Sequence, residues 1–190
     1  MNNAEKAIPV VMIRSTLENI PAHPLPAGFT FRWYRPGDGA LWTTVWQAAE
    51  KWLQITPDMF RKEFGDDDVV IGKRMFFVMD AHGRPVATST AWFDSHGRGQ
   101  AYGRVHWVAV ITEMQGAGLG KPLMTLTLQR QKELGHVSSV LGTHNVRIPA
   151  INLYLYFGFV PEVKDAGQLE VWKALQPQLK YPIDLSRYAF

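Results

Sequence analysis

The stretch Val105–Met124, VHWVAVITEMQGAGLGKPLM, gathers residues that can do chemistry. An apolar run suited to a strand feeds a turn with glycines at 116, 118 and 120, and a helical pattern follows at once. A helix N-terminus offers unsatisfied backbone N–H groups and about half a positive charge. Glycines remove the Cβ atoms that would hold a phosphate away from those groups. The segment therefore predicts a phosphate cradle built from Gln115, Gly116, Ala117, Gly118, Leu119 and Gly120, with Lys121 adding a point charge. An ordinary glycine-rich strand-to-helix turn is the competing reading. The P-loop pattern GxxxxGK[ST] fails, since position 115 is Gln and position 122 is Pro. The dinucleotide pattern GxGxxG fails because Lys121 stands where its last glycine would be.

What fits is Gln115-Gly-Ala-Gly118-Leu-Gly120, read as Q/R-x-x-G-x-G/A after a strand. This resembles the acyl-CoA pyrophosphate loop of the GCN5-related N-acetyltransferase (GNAT) superfamily. A second segment, Pro149-Ala-Ile-Asn-Leu-Tyr154-Leu-Tyr-Phe-Gly158-Phe159, resembles that superfamily's late helix, A-I-x-L-Y-x-x-x-G-F. The resemblance covers residues 29–175. It implies acetyl-CoA as the donor and direct attack by a primary amine of a small molecule, with no acyl-enzyme. A protein or peptide amine is one alternative, and a catalytically silent acyl-CoA-binding domain is another.

By resemblance, Val108, Ala109 and Val110 offer backbone groups to the pantetheine arm and the acetyl carbonyl, with the Val110 N–H as the oxyanion donor. Tyr154 is the expected acid and a cofactor contact. An ordinary phenol pKa of about 10 keeps it protonated at neutral pH, ready for a leaving thiolate of pKa about 8.5. His106 is the candidate base, at an offset that resembles arylalkylamine N-acetyltransferases; a pKa near about 6.5 suits the task. Glu113 and Asp94 are weaker candidates for that role. The competing readings are a packing tyrosine, a structural histidine and a water chain as base. Where many members carry Asn three residues before the helix alanine, to touch pantetheine, this chain has Arg147; the nearest asparagine is Asn145.

These groups need elements to hold them. Phe29–Arg35 alternates apolar and polar residues and predicts a strand. Asp38 predicts the N-cap of a helix to about Trp52, and Thr56-Pro57 a short helix to Gly65. Strands are expected over 74–80 and 85–93 around a hairpin turn, and over 100–110. Strict alternation along the last of these puts 104, 106, 108 and 110 on one face. A helix over 118–134, a strand over 138–143 and a helix over 150–157 follow, then strands over 159–163 and 168–175. Trp33, Tyr34, Trp42, Trp46, Trp52, Met59 and Phe60 are either an acceptor-side aromatic wall or core anchors, mostly the latter. Asp66-Asp67-Asp68 reads as a solvated loop. The order predicts an α/β fold of the GNAT type, a mixed sheet of about six to seven strands flanked by about four helices.

Composition sets the outer bounds. The 190 residues suit one domain, with 1–28 an irregular N-terminal segment and 176–190 a tail packing on the domain or a partner. Zero cysteines exclude disulfides, thiolate catalysis and Cys-ligated zinc. The six histidines, His23, His82, His96, His106, His136 and His144, form neither an i, i+4 pair nor HExxH, so no metal is expected. A net charge of +3 without a basic block points away from nucleic acid. No apolar run reaches the ~18–20 residues of a membrane span, and no secretory signal is evident, so a cytoplasmic address is the expectation. A homodimer is common in this superfamily.

Overall fold

The structure, a computed structural model, describes residues 7–94 and 97–190. Residues 1–6 of the N-terminal segment and His96 lie outside the described residues. Seven strands form one mixed sheet: β1 (Pro9–Arg14), β2 (Thr30–Trp33), β3 (Met75–Met79), β4 (Pro85–Phe93), β5 (Tyr102–Val110), β6 (Ser138–His144) and β7 (Val160–Glu162). Their spatial order is β2-β3-β4-β5-β6-β1-β7. Among the described residues only β5 and β6 pair in parallel. The helices are α1 (Gly39–Ala49), α2 (Met59–Phe64), α3 (Asp68–Gly72), α4 (Gly120–Glu133), α5 (Ile148–Tyr156) and α6 (Ala166–Leu175).

Four expectations need correction. The segment 1–28 is not irregular throughout: Pro9–Arg14 is a strand between β6 and β7, with Val10 and Met12 buried. Residues 168–175 form helix α6, not a strand. Leu169, Trp172 and Leu175 recur every three residues and turn one stripe inward. The Asp165 carboxylate accepts from the Gln168 N–H at 2.8 Å and caps this helix. Among the described residues the α-helices therefore number six, because the aspartate run also nucleates α3: Asp67 accepts from the N–H groups of Val69 and Val70. Finally, Asp38 precedes α1 but does not cap it; its carboxylate is taken by Arg32 and by the Arg35 N–H.

One core packs α1, α2 and α3 on β2–β5, around Trp42, Phe60, Phe64, Phe76 and Ile71. The other joins β1, β6, α4, α5 and α6 around Met12, Leu128, Phe157 and Trp172. Trp42 and Phe60 thus serve as core anchors. The tail packs on the second core through Leu179, Ile183 and Leu185, and the Tyr188 hydroxyl donates to the Pro161 carbonyl.

Candidate active site

The site begins where the sheet fails to close. β5 and β6 pair only from Tyr102↔Ser138 to Arg104↔Val140, although β5 runs on to Val110 and β6 to His144. Between the diverging ends lie two chambers. One, of about 410 Å³, is lined by Arg104–Val108, Gly142–His144, Glu63 and the start of β1. The other, of about 340 Å³, is lined by Val108–Val110, Met114–Gly116, Leu119, Gly120 and α5. Trp46, Glu50, Val108, Arg147, Ala150 and Tyr154 line both, so the chambers meet there.

A bulge in β5 shapes that meeting point. Thr90 pairs with His106 and Thr88 with Ala109, so β5 carries one residue more than β4 across this interval. Trp107 sits at φ +51, a left-handed conformation unusual for a bulky side chain. It is held by packing against Trp42 and Trp46, with ring centroids 5.1 and 4.6 Å away, and by its indole N–H donating to Glu63 Oε2 at 2.8 Å. The expected alternation therefore breaks. His106 packs on Phe64 and Trp107 on Trp42, so consecutive side chains face the α1–α2 side. Beyond the bulge Ala109 takes that side, paired with Thr88, while Val108 and Val110 turn to the other face.

The register also orients the backbone of Val110. The Ile111 N–H donates to the Val86 carbonyl, which makes Ala87↔Val110 a non-hydrogen-bonded pair. The N–H and C=O of Val110 thus point away from β4 toward the opening. Gln115 Nε2 donates to that carbonyl at 3.2 Å, so the Gln115 side chain braces the turn. Gly116 and Gly118 adopt φ +84 and +80, and α4 starts on Leu119 with no side-chain cap. Its first N–H groups face outward beside exposed Gln115, Gly116, Ala117 and Gly118. Leu119 is buried in the core. Lys121 Nζ rests 4.1 Å from the centre of the Tyr156 ring, and the Tyr156 hydroxyl meets His23 Nε2 at 2.9 Å.

Tyr154 lines both chambers and is 8% exposed. Burial pushes its phenol up to about 12, against a smaller opposing pull from the Arg147 charge. His106 lines the larger chamber with its Nε2 3.3 Å from Glu63 Oε2. The bond from His106 is the largest influence holding the Glu63 carboxyl below its ordinary value, with burial opposing and Trp107 assisting.

Three anticipated residues lie elsewhere. Asn145 exchanges two hydrogen bonds with the Ile8 backbone and lines neither chamber. Glu113 pairs with Arg84 at the surface. Asp94 accepts from the Arg98 N–H at 3.0 Å and lines neither chamber. Two carboxylates were missed. Glu63 left no signal, being one polar position on a short helix. Glu50 did: an acid at a helix C-terminus opposes the helix dipole. Its carboxylate is compensated by Arg147 Nη2 at 2.6 Å and by the N–H groups of Lys51 and Trp52. Arg147 also sits over the Trp52 ring.

The sequence model of the Acetyltransferase (GNAT) family matches residues 31–159. The chain belongs to the acetyltransferase (GNAT) family. This acetyltransferase-family chain is 30% identical over 146 residues to a mycothiol acetyltransferase of Pseudarthrobacter chlorophenolicus, spanning 74% of this chain and 45% of that protein. A mycothiol acetyltransferase of Acidothermus cellulolyticus is 27% identical over 173 residues, 82% of this chain and 52% of that one. The chain thus spans about half the length of the curated relatives it matches. Its fold resembles a GCN5-related N-acetyltransferase from Sphaerobacter thermophilus, with TM-score 0.66, 20% identity, and coverage of 82% of this chain and 50% of that one. A tandem GNAT protein from the clavulanic acid biosynthesis pathway gives TM-score 0.57 at 18% identity, with coverage of 82% and 50%. Among the described residues no helix is long and apolar enough to cross a membrane, and no group of three His, Asp or Glu side chains could hold a metal ion.

Proposed function

We propose that this chain transfers an acetyl group from acetyl-CoA to a primary amine of a small molecule, by direct attack. The observation that carries the reading is the split sheet, with one chamber ending on the glycine turn and the other on His106 and Glu63. Relatives named mycothiol acetyltransferase support a small-molecule acceptor.

The residues present fit acetyl-CoA. The uncapped start of α4 and the left-handed glycines at 116 and 118 suit a pyrophosphate, with Lys121 beside them. Val108, Ala109 and Val110 border the route inward. When bound, acetyl-CoA supplies a thioester whose carbonyl carbon accepts the amine. The Val110 N–H, turned into the opening, donates to the oxygen where negative charge develops. His106 takes the proton released by the amine as the C–N bond forms, and Glu63 holds the imidazole in place. Tyr154 gives its proton to the sulfur as the C–S bond breaks. Arg147, paired to Glu50 where the chambers meet, supports Tyr154 and takes the place of the usual asparagine.

The test is free-thiol release from acetyl-CoA against a panel of arylalkylamines, polyamines, amino acids, aminoglycosides and lysine peptides. Turnover with a small amine supports the reading. Turnover confined to lysine peptides would move the acceptor to proteins. A thermal shift with acetyl-CoA but no turnover on any amine would leave binding without catalysis and overturn it.

A further inference from the structure

Arg104 lines the 410 Å³ chamber two residues before His106, on the same face of β5. Among the described residues its guanidinium has no hydrogen-bond partner. The two nearby carboxylates act on it only through their fields. Glu63 already accepts from Trp107 and His106, and Asp94 from Arg98. The other arginine of this chamber, Arg147, is committed to Glu50. Arg104 is half-buried, and burial disfavours its cation. Five donors in a fixed fork, partly desolvated and unclaimed, form an arrangement that a ligand oxygen pair would complete.

Resting on the acetyl-transfer reading above, we infer that Arg104 selects the acceptor, and that the acceptor is a primary amine carrying a carboxylate at its far end. A planar monoanion matches the guanidinium fork. A phosphate dianion would meet the repulsion of Glu63 and Asp94 close by. The amine must reach the meeting point of the chambers at Val108 and Tyr154. Four residues separate Arg104 from Val108, an advance of about 10 Å along the strand at about 3.3 Å each once the extra residue of the bulge is discounted. The two functional groups therefore belong to opposite ends of one molecule, not to an α-amino acid head.

The experiment compares 6-aminohexanoate with its methyl ester, and glycine with its methyl ester, as acceptors for wild type and Arg104→Gln. The expected result is a kcat/KM at least tenfold higher for 6-aminohexanoate than for its ester, no such preference for glycine, and an acid-to-ester ratio near one in Arg104→Gln. A wild-type ratio near one, or a ratio unchanged in the variant, overturns the inference. Calorimetry of 6-aminohexanoate with the CoA-loaded protein gives a second readout that needs no turnover. Binding by wild type that weakens at least tenfold in Arg104→Gln supports the role, and no binding by wild type overturns it. Binding that depends on Arg104 without turnover would sink the transfer reading alone.

Discussion

At the scale of single residues, the proposed mechanism depends on protons held in particular places. Tyr154 is buried and its phenol is pushed up to about 12, so it stays protonated through the neutral range and far above it. Removing only the hydroxyl in Tyr154→Phe keeps the ring contact with Phe159. The expected outcome is a kcat at least tenfold lower with the KM for acetyl-CoA unchanged, a loss of about 1.4 kcal/mol in barrier terms. Unchanged kcat in steady-state assays would remove Tyr154 from the mechanism. Glu63 makes a prediction about pH. Its folded pKa lies below the ordinary 4.5, chiefly because of His106. The unfolded chain then binds more protons than the folded one as the pH falls below that value. The stabilisation is present above 4.5 and is lost as pH falls through the lower folded value. Glu63→Gln should flatten the acid limb of a Tm-against-pH curve, and a limb as steep as wild type would show that the bond to His106 adds nothing. Tyr154 was legible in the sequence because its helix carries a local pattern. Glu63 was not, since its partners lie far along the chain in β5.

At the scale of elements, the bulge in β5 and the turn before α4 do the positioning. One extra residue swaps the faces of everything beyond Trp107. Alternation read from the sequence is therefore right for Arg104 and His106 and inverted for Val108 and Val110. The turn asks for glycine at 118 because φ there is +80; a Cβ would meet Pro26 only at an ordinary 3.7 Å, so the demand is conformational and not steric crowding. Gly118→Ala should cost about 1–2 kcal/mol in the left-handed conformation. We expect weaker acetyl-CoA binding by calorimetry with helix content unchanged in circular dichroism. Equal affinity would remove Gly118 from the cradle. Helix α6 was misread as a strand because Gln168–Leu175 mixes polar and apolar residues closely enough to suit either period. The deciding contact is Trp172, 1% exposed in the second core. Trp172→Ala should cost about 3–5 kcal/mol by urea unfolding. A loss under about 1 kcal/mol would mean that α6 is peripheral to that core.

At the scale of the whole molecule, β1 joins the two ends of the chain. It pairs with β6 on one side and β7 on the other. Arg14, at its end, hydrogen-bonds the carbonyls of Thr16, Glu18 and Phe157. A variant starting at residue 15 would lose an interior strand, leaving β7 unpaired and β6 paired only along its short stretch with β5. Circular dichroism should show no cooperative thermal unfolding. A sharp transition near the wild-type Tm would mean that the domain begins after β1. The apolar run Ile8–Ile13 carries a strand signal, but its partners β6 and β7 lie more than a hundred residues along the chain, so nothing local marks it as an interior strand.

The sequence by itself determined the glycine turn, the helix that carries Tyr154, the strand–helix order around them and the family they resemble. Each is written in periodicity or turn chemistry within a dozen or so residues, where backbone preference alone suffices. The tertiary structure alone decided where the sheet opens, which way Val110 faces and how Asn145 is used. It also decided which carboxylates meet His106 and Arg147, joining Glu63 to β5 and Glu50 to α5. Such pairings join residues distant in the chain, and packing of the two cores selects them; no local preference of either partner encodes the other.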